Sequence, residues 1–134
     1  MRVCLDTNVL VSAFTTRGIC TDIITLVLAE HQLVLGETVL AELSRVLDGK
    51  MRMPKVTVEE AEALLRREAV VVSHGADISF AVRDPDDVAV LAEAIEGLAD
   101  VLVTGDRDLL EIPDETPIEI LSLRGFWEKL QGRT

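Results

Sequence analysis

Carboxylates are the residues of this sequence whose types and spacing best suit chemistry. Asp6 directly follows the apolar run Val3-Cys4-Leu5, which is typical of a short buried strand. Asp106 comes shortly after a similar run, Val101-Leu102-Val103. If both strands belong to one parallel sheet, both carboxylates lie at its carboxyl edge, where open α/β sheets bind ligands. Because burying an unpartnered charge is costly, an acid at such a place indicates function rather than stability.

Two further acids are expected to approach the same place. Glu42 lies at the margin of the apolar stripe of a predicted helix over 38–47, and Asp87 shares a helix face with Leu91 and Ala94. Two carboxylates about 4 Å apart at an effective dielectric near 20 repel by about 4 kcal/mol. Either protonation or a hard cation such as Mg²⁺ or Mn²⁺ would relieve that repulsion. With a cation, such a cluster can activate a water and stabilise charge on a phosphate during hydrolysis.

The elements that must position these acids follow from the periodicity of apolar residues. Five short apolar runs alternate with helical patterns, which predicts an α/β fold: a central parallel sheet of about five strands covered on both faces. Residues 1–134 are expected to form a single domain. The predicted strands are 3–5, 33–35, 70–72, 101–103 and 118–121. The predicted helices are 8–14, about 22–31, 38–47, 57–69, about 84–95, 107–111 and one from Ser122 onwards.

Side chains that cap helices give the expected helix starts. Thr7 or Asn8 is expected to cap the first helix, and Thr21 or Asp22 the second. Thr57, with Glu three residues later, has the form of a capping box. Ser122 is expected to cap a last helix that carries Phe126, Trp127 and Leu130, which we interpret as core or dimer contacts. Gly75 to Val82 is expected to be irregular, with at most an edge segment.

Charge and cysteine content narrow the class of protein. The net charge is −11, from 24 acidic and 13 basic residues, which argues against a protein that coats nucleic acid non-specifically. The chain has no apolar run of the roughly 20 residues that a membrane span needs, and its N-terminus lacks the features of a signal peptide. Cys4 and Cys20 lie in apolar surroundings and are expected to be reduced thiols of a cytoplasmic protein.

One local group of basic residues stands out against this acidity. It has two interpretations: a solvated loop, which is the commoner outcome, or a surface that approaches an RNA backbone. Its members are Arg45, Lys50, Arg52 and Lys55, and Asp48 is the only acidic residue between them.

Four segments, in order along nearly the whole chain, together resemble the PIN domain. They are Asp6-Thr7-Asn8, Thr38-x-x-x-Glu42, Asp87 with the run Leu91-Ala92-Glu93-Ala94, and Leu102 to Leu109. The Asp-Pro-Asp-Asp and Thr-Gly-Asp-x-Asp-Leu steps resemble the PIN proteins described as toxins of toxin–antitoxin modules, related to VapC-type toxins. The resemblance implies a three-layer α/β/α sandwich, an endoribonuclease that depends on Mg²⁺ or Mn²⁺, frequent homodimers and, for toxins, inhibition by a partner antitoxin.

The resemblance also implies roles for individual residues. The acidic metal-binding and catalytic quartet would be Asp6, Glu42, Asp87 and Asp106. Polar supports that orient a carboxylate or a water would be Asn8 and Thr104. For Asp108 and Asp84 three roles stay open: metal ligand, acid behind the ligands, or helix cap.

Other functions remain open for the same residues. A strand-end aspartate is also where haloacid-dehalogenase-like phosphatases place their nucleophile, but Asn8 and Leu10 replace the second Asp and the Thr of that pattern. A receiver domain is weaker, because no Lys stands directly at the end of the last strand. A third hypothesis is a PIN-like module that binds RNA or protein without catalysis. Glu42 could instead pair with Arg45 or Arg66, and Asp106 could only cap its helix.

Overall fold

A five-stranded sheet forms the centre of the molecule, in which every paired strand runs parallel. The computed structural model describes residues 1–76, 85–112 and 116–132, with the backbone alone at residues 85 and 86. The strand order is β3-β2-β1-β4-β5. The strands are β1 (Arg2–Leu5), β2 (Gln32–Gly36), β3 (Val70–Val72), β4 (Val101–Val103) and β5 (Glu119–Leu121). The predicted α/β/α class with a parallel sheet of five strands is confirmed.

Helices connect these strands, and seven α-helices lie within the described residues. They are α1 (Thr7–Thr15), α2 (Ile19–Glu30), α3 (Glu37–Arg45), α4 (Lys55–Glu68), α5 (Pro85–Glu96), α6 (Arg107–Leu110) and α7 (Leu123–Leu130). A π-helical turn over Val46–Lys50 continues α3, where the sequence predicted a helix to residue 47 followed by a loop. Residues 77–82 of the predicted irregular segment lie outside the described residues, as does Asp84.

The starts of α2 and α4 differ from the prediction. Helix α2 begins three residues before Asp22, with Gly18 at the cap position. The Thr21 hydroxyl donates instead to the carbonyls of Ala13 and Thr16, 3.1 and 2.7 Å away, so it ties α2 to the end of α1. The predicted capping box is also wrong, because Thr57 lies inside α4, which begins directly after Pro54. Pro54 occupies the N-cap position without a side-chain hydrogen bond, and the first residues of α4 are exposed, so water can reach their N–H groups.

The core is aliphatic and lies on both sides of β1. Leu5, Leu10 and Leu102 are fully buried, and Phe126 is the largest of the fully buried side chains. Ser122 caps α7 as predicted, accepting the Gly125 N–H at 3.1 Å. Among the described residues no single helix is long and apolar enough to cross a membrane; α1 and α2 reach that length and hydropathy only as a pair bent by 105°.

Candidate active site

The four acids that the sequence singled out meet around one small cavity. Asp6, Glu42, Asp87 and Asp106 all line it, together with Thr7, Asn8 and Val90. The cavity has a volume of about 160 Å³, which suits ions and a few waters rather than a large ligand. We call it the acid cavity. The structure therefore brings together, in one place, residues that are up to 100 positions apart in the chain.

The topology of the sheet explains this meeting. Strand β1 lies at the centre, between β2 and β4, and all three run in the same direction. Asp6 follows β1 directly, and its N–H donates to the carbonyl of Val103, the last residue of β4, at 2.9 Å. Helix α3 leaves the end of β2 and carries Glu42. The site thus lies at the carboxyl edge, where the strand order reverses between β1 and its neighbours.

Asp6 is held by hydrogen bonds to both of its carboxylate oxygens. The Thr7 N–H donates to Oδ1 at 2.8 Å, so Asp6 itself is the N-cap of α1, and the prediction of Thr7 or Asn8 in that role is wrong. The fully buried Thr104 hydroxyl donates to Oδ2 at 2.6 Å and accepts the Asp106 N–H at 3.0 Å. Thr104 therefore links the two acids and fixes the orientation of Asp6.

Burial makes it costly for the Asp6 carboxyl to carry a negative charge. Asp6 is 8% exposed, and this desolvation raises its pKa above the usual range. The hydrogen bonds from Thr104 and Thr7 act in the opposite direction, and the negative charge of Asp106 raises the pKa further. The net effect is a raised pKa, so a cation in the acid cavity would lower the cost of ionising Asp6.

Three of the carboxylates are close enough to share one ion. Asp87, Asp106 and Asp108 each offer an oxygen, and these oxygens lie within 4.8 Å of one another. Asp87 is buried, as its predicted inward orientation requires, and the other two are half-buried. Asp106 also caps α6, accepting the Asp108 N–H at 2.9 Å, so the capping role suggested for it is confirmed, and its role as a metal ligand stays a prediction. All donors are oxygens, which fits a hard divalent cation.

Glu42 and Asn8 lie at the outer part of this site. Glu42 is half-buried and lines the acid cavity without belonging to the closest group of three carboxylates. Arg66, one suggested partner of Glu42, forms ion pairs with Glu37 at 2.8 Å and Glu62 at 3.1 Å instead. Asn8 is exposed. If residue 105 carried a Cβ atom, that atom would lie 3.3 Å from Nδ2 of Asn8. The absence of a side chain at Gly105 therefore leaves Asn8 room at the cavity.

The predicted basic group does not form one surface. Lys50 lies on the π-helical turn and lines a groove beside the acid cavity. Arg45 and Lys55 line a different cavity between α3 and α4, with Arg66 and several acids. Arg52 is exposed with a left-handed backbone, φ +51°. Of the four cations, the structure places only Lys50 in the groove that adjoins the acids.

Glu93 is a buried acid to which the sequence analysis gave no role. It lies on α5, and its carboxylate accepts the Thr38 N–H at 3.0 Å and the Thr38 hydroxyl. Gly36, the N-cap of α3, provides no side chain, and a Cβ there would overlap the Glu93 carboxylate. Glu93 therefore caps α3 from a neighbouring helix and ties the helix of Glu42 to the helix of Asp87.

Comparison with known proteins agrees with this architecture. Comparison with curated protein sequences gave no significant match. The fold is similar to a chain of VapBC2 from Rickettsia felis, solved bound to a DNA fragment from its promoter, with a TM-score of 0.65 and 17% identity over 91% of this chain and 98% of that one. It is also similar to a chain of VapBC-1 from nontypeable Haemophilus influenzae, with a TM-score of 0.63 and 18% identity over 92% and 99%.

The family itself is shown by sequence. A model of the PIN domain matches residues 2–108, a range that includes every residue lining the acid cavity. Because that match covers well over half of the chain, the chain belongs to the PIN domain family.

Proposed function

We propose that the protein is an endoribonuclease that depends on Mg²⁺ or Mn²⁺ and hydrolyses phosphodiester bonds of single-stranded RNA. The observation that carries this proposal is the acid cavity, in which carboxylates from four separate elements converge. Such convergence is unfavourable for folding alone, because buried like charges repel and lose hydration. Membership of the PIN domain family supports the same chemistry.

The residues around the acid cavity would have different roles in hydrolysis. Asp87, Asp106 and Asp108 would hold the cation, with Asp6 and Glu42 completing the ligands or binding its waters. The cation would neutralise charge on the phosphate and make a water more acidic. Thr104 would keep Asp6 oriented through its 2.6 Å hydrogen bond. Each oxygen of Asp6 accepts one hydrogen bond and keeps a second lone pair, with which it could bind the cation or one of its waters.

A cleavage assay on a short single-stranded RNA tests this function. We expect cleavage with Mg²⁺ or Mn²⁺, none with a chelator, and loss of at least 100-fold in Asp6→Asn and Asp106→Asn, as removal of a ligand carboxylate implies. Glu111→Gln is the matched control, because this exposed acid lies outside the acid cavity. Undiminished cleavage by either aspartate variant, with its fold intact, would contradict the proposal.

We further propose that the protein is the toxin of a toxin–antitoxin pair, acting in the cytoplasm as a homodimer and inhibited by its antitoxin. The support is the likeness of the fold to chains of two VapBC structures. Expression in a bacterial host should arrest growth, and Asp6→Asn should restore it. An upstream reading frame that encodes a small protein with a DNA-binding N-terminus would support an antitoxin. Normal growth with the active enzyme present would contradict the toxin role.

A further inference from the structure

The two edges of the sheet differ in how well they are protected. An edge strand presents unpaired backbone N–H and C=O groups, and natural proteins commonly shield such a strand with charged side chains or proline. Strand β5, at one edge, closely follows Pro117 and carries the exposed Glu119, which pairs with Lys129 at 3.0 Å. Strand β3, at the other edge, consists of three valines and has neither device.

The chain that follows β3 turns away from this edge. Gly75 packs against α5 so closely that a Cβ on residue 75 would lie 2.6 Å from the Cβ of Ala92. The Ala76 N–H donates to the carbonyl of Ala92 at 2.9 Å. Among the residues that the structure describes, only β2 pairs with β3. The outer side of β3 is therefore open to another strand within this part of the chain.

A groove of about 350 Å³ lies along β3. All three valines of the strand line it, and the turn that follows α5 forms its other side with Gly97 and Leu98. Val70 and Leu98 are large apolar side chains that are 37% and 73% exposed. Covering such side chains with another molecule is favourable. The edge thus offers apolar surface in addition to its backbone groups.

The backbone of Leu98 is unusual for an exposed leucine. Its φ is +58°, in the left-handed region that residues other than glycine adopt uncommonly. Arg2 fixes this turn, because its guanidinium donates to the carbonyl of Gly97 at 2.6 Å and to that of Leu98 at 3.2 Å. Glycine would adopt the same backbone freely. An apolar side chain that is both strained and exposed indicates a contact outside the single chain.

Charge indicates what can occupy the edge. Two copies of a protein with a net charge of −11 repel each other over most of their surfaces. Residues 69–76 contain no Asp, Glu, Lys or Arg, so two copies can meet there without bringing like charges together. Antiparallel pairing places the start of one strand beside the end of the other. It would bring the exposed Glu68 of each copy near the exposed His74 of the other, whose ring N–H can donate to a carboxylate.

We propose that two copies of the chain pair through β3, antiparallel and about a two-fold axis, so that their two sheets become one continuous sheet. With the axis at Val71, Val70 of each copy lies opposite Val72 of the other, and such pairs of β-branched residues suit a sheet. An interface of this kind is isologous and closes at two copies. This pairing gives a surface to the homodimer proposed above and rests on that part of the proposed function alone.

Sedimentation velocity over a range of concentrations tests the pairing. The wild type should be dimeric at micromolar concentration. Val70→Lys should raise the dissociation constant of the dimer at least 10-fold, because lysine is a residue that protects natural edges. Val56→Lys is the matched control, since it makes the same change at a more exposed position, 63%, about 18 Å along α4 from the end that leads into β3. Its dissociation constant should equal that of the wild type.

A glycine at position 98 separates a contact between copies from a role in folding. Leu98→Gly should raise the dissociation constant at least 3-fold. Its melting temperature, compared where both proteins are monomeric, should not fall, because glycine adopts a positive φ freely and Leu98 is mostly exposed. A Leu98→Gly protein that loses monomer stability together with dimerisation would contradict the proposed contact.

Salt and hydrogen exchange identify the surface. Added salt should strengthen the dimer, because it screens the repulsion between two acidic copies while residues 69–76 carry no Asp, Glu, Lys or Arg. Amides of β3 should exchange more slowly at concentrations where the protein is dimeric than where it is monomeric, and amides of β5, at the opposite edge, should not change. A dimer that dissociates in salt, or that leaves exchange in β3 unchanged, would overturn the proposal.

The dimer and the ribonuclease function can fail separately. The acid cavity is lined by residues of one chain, so Val70→Lys should still cleave RNA at the rate of the wild type. If the wild type dimerises through β3 but cleaves no RNA, the ribonuclease function fails and the pairing stands. If the wild type stays monomeric, the pairing is overturned and a strand of a different protein becomes the better occupant of the edge. A dimer that both Val70→Lys and Leu98→Gly leave intact would use another surface, which also overturns the pairing.

Discussion

Replacing Glu93 by alanine is expected to destabilise the protein, although Glu93 is outside the acid cavity. Its carboxylate caps α3 through the Thr38 N–H at 3.0 Å and the Thr38 hydroxyl, and it is 7% exposed. A hydrogen bond to a charged group contributes about 1.5–3 kcal/mol, and loss of a helix cap typically costs about 1 kcal/mol. The two figures are not additive, because both describe the contacts of the Glu93 carboxylate with Thr38. Removing a buried carboxylate also removes the cost of burying it, which offsets part of the loss. We therefore expect about 2 kcal/mol of destabilisation.

This free energy translates into a measurable melting temperature. At an unfolding entropy of about 2.1 cal/mol/K per residue, 134 residues convert 2 kcal/mol into a decrease of roughly 7 °C. Glu93→Gln keeps an acceptor for the Thr38 N–H and should lose no more than about 1 kcal/mol. Glu96→Ala is the matched control, because Glu96 is exposed near the end of the same helix and should change stability by less than about 0.5 kcal/mol.

Two measurements check the reasoning. Differential scanning calorimetry without metal gives the stability of each variant, and a double-mutant cycle with Thr38→Val should give a coupling of at least about 0.5 kcal/mol between the two side chains. Binding of Mn²⁺ should weaken in Glu93→Ala, because α3 carries Glu42 and α5 carries Asp87. The capping role would be refuted if Glu93→Ala were as stable as Glu96→Ala. It would also be refuted if Glu93→Gln lost as much stability as Glu93→Ala.

Three further predictions concern the site and the core. In chelator, the wild type should lose stability relative to Asp6→Asn as the pH rises above about 4, because the raised pKa of Asp6 makes the folded state bind more protons than the unfolded one; a difference in melting temperature between the two proteins that does not change with pH would contradict this. Thr104→Val should reduce cleavage 10- to 100-fold while Thr104→Ser retains most of it, since only the serine keeps the hydrogen bond to Asp6; equal rates in the two variants would refute the positioning role. Burial raises the pKa of the Cys4 thiol and Cys20 is also buried, so neither should react with a thiol reagent at pH 8 until the protein is unfolded; rapid labelling of the native protein would show otherwise.

The three central strands were predictable because each contains a short, continuous apolar run that is buried in the sheet. Val101-Leu102-Val103, for example, is buried throughout and coincides with β4. Because the strands are parallel, the sequence alone predicts that Asp6 and Asp106 lie at the same edge of the sheet. The inward orientation of Asp87 followed equally from helical periodicity, which is a reliable signal where one face of a helix is apolar.

The start of α2 and the role of Glu93 were not predictable in the same way. The choice between Gly18 and Thr21 as the cap of α2 depends on how α1 and α2 pack, since the Thr21 hydroxyl is engaged by carbonyls of the preceding segment. Helix α5 is buried on nearly every face from Leu91 to Ala94, so periodicity cannot assign Glu93 to a solvated side. The signal that could have identified it is an acid inside the apolar run Val90 to Ala94.

The central claim is that carboxylates from distant parts of the chain share a divalent cation, and anomalous diffraction from crystals soaked in Mn²⁺ tests it most directly. We predict a Mn²⁺ peak inside the acid cavity, bound by Asp87 and Asp106, and its loss in crystals of Asp106→Asn. Crystals that take up no Mn²⁺ in that cavity at millimolar concentration, or that bind it equally well without the Asp106 carboxylate, would contradict the claim.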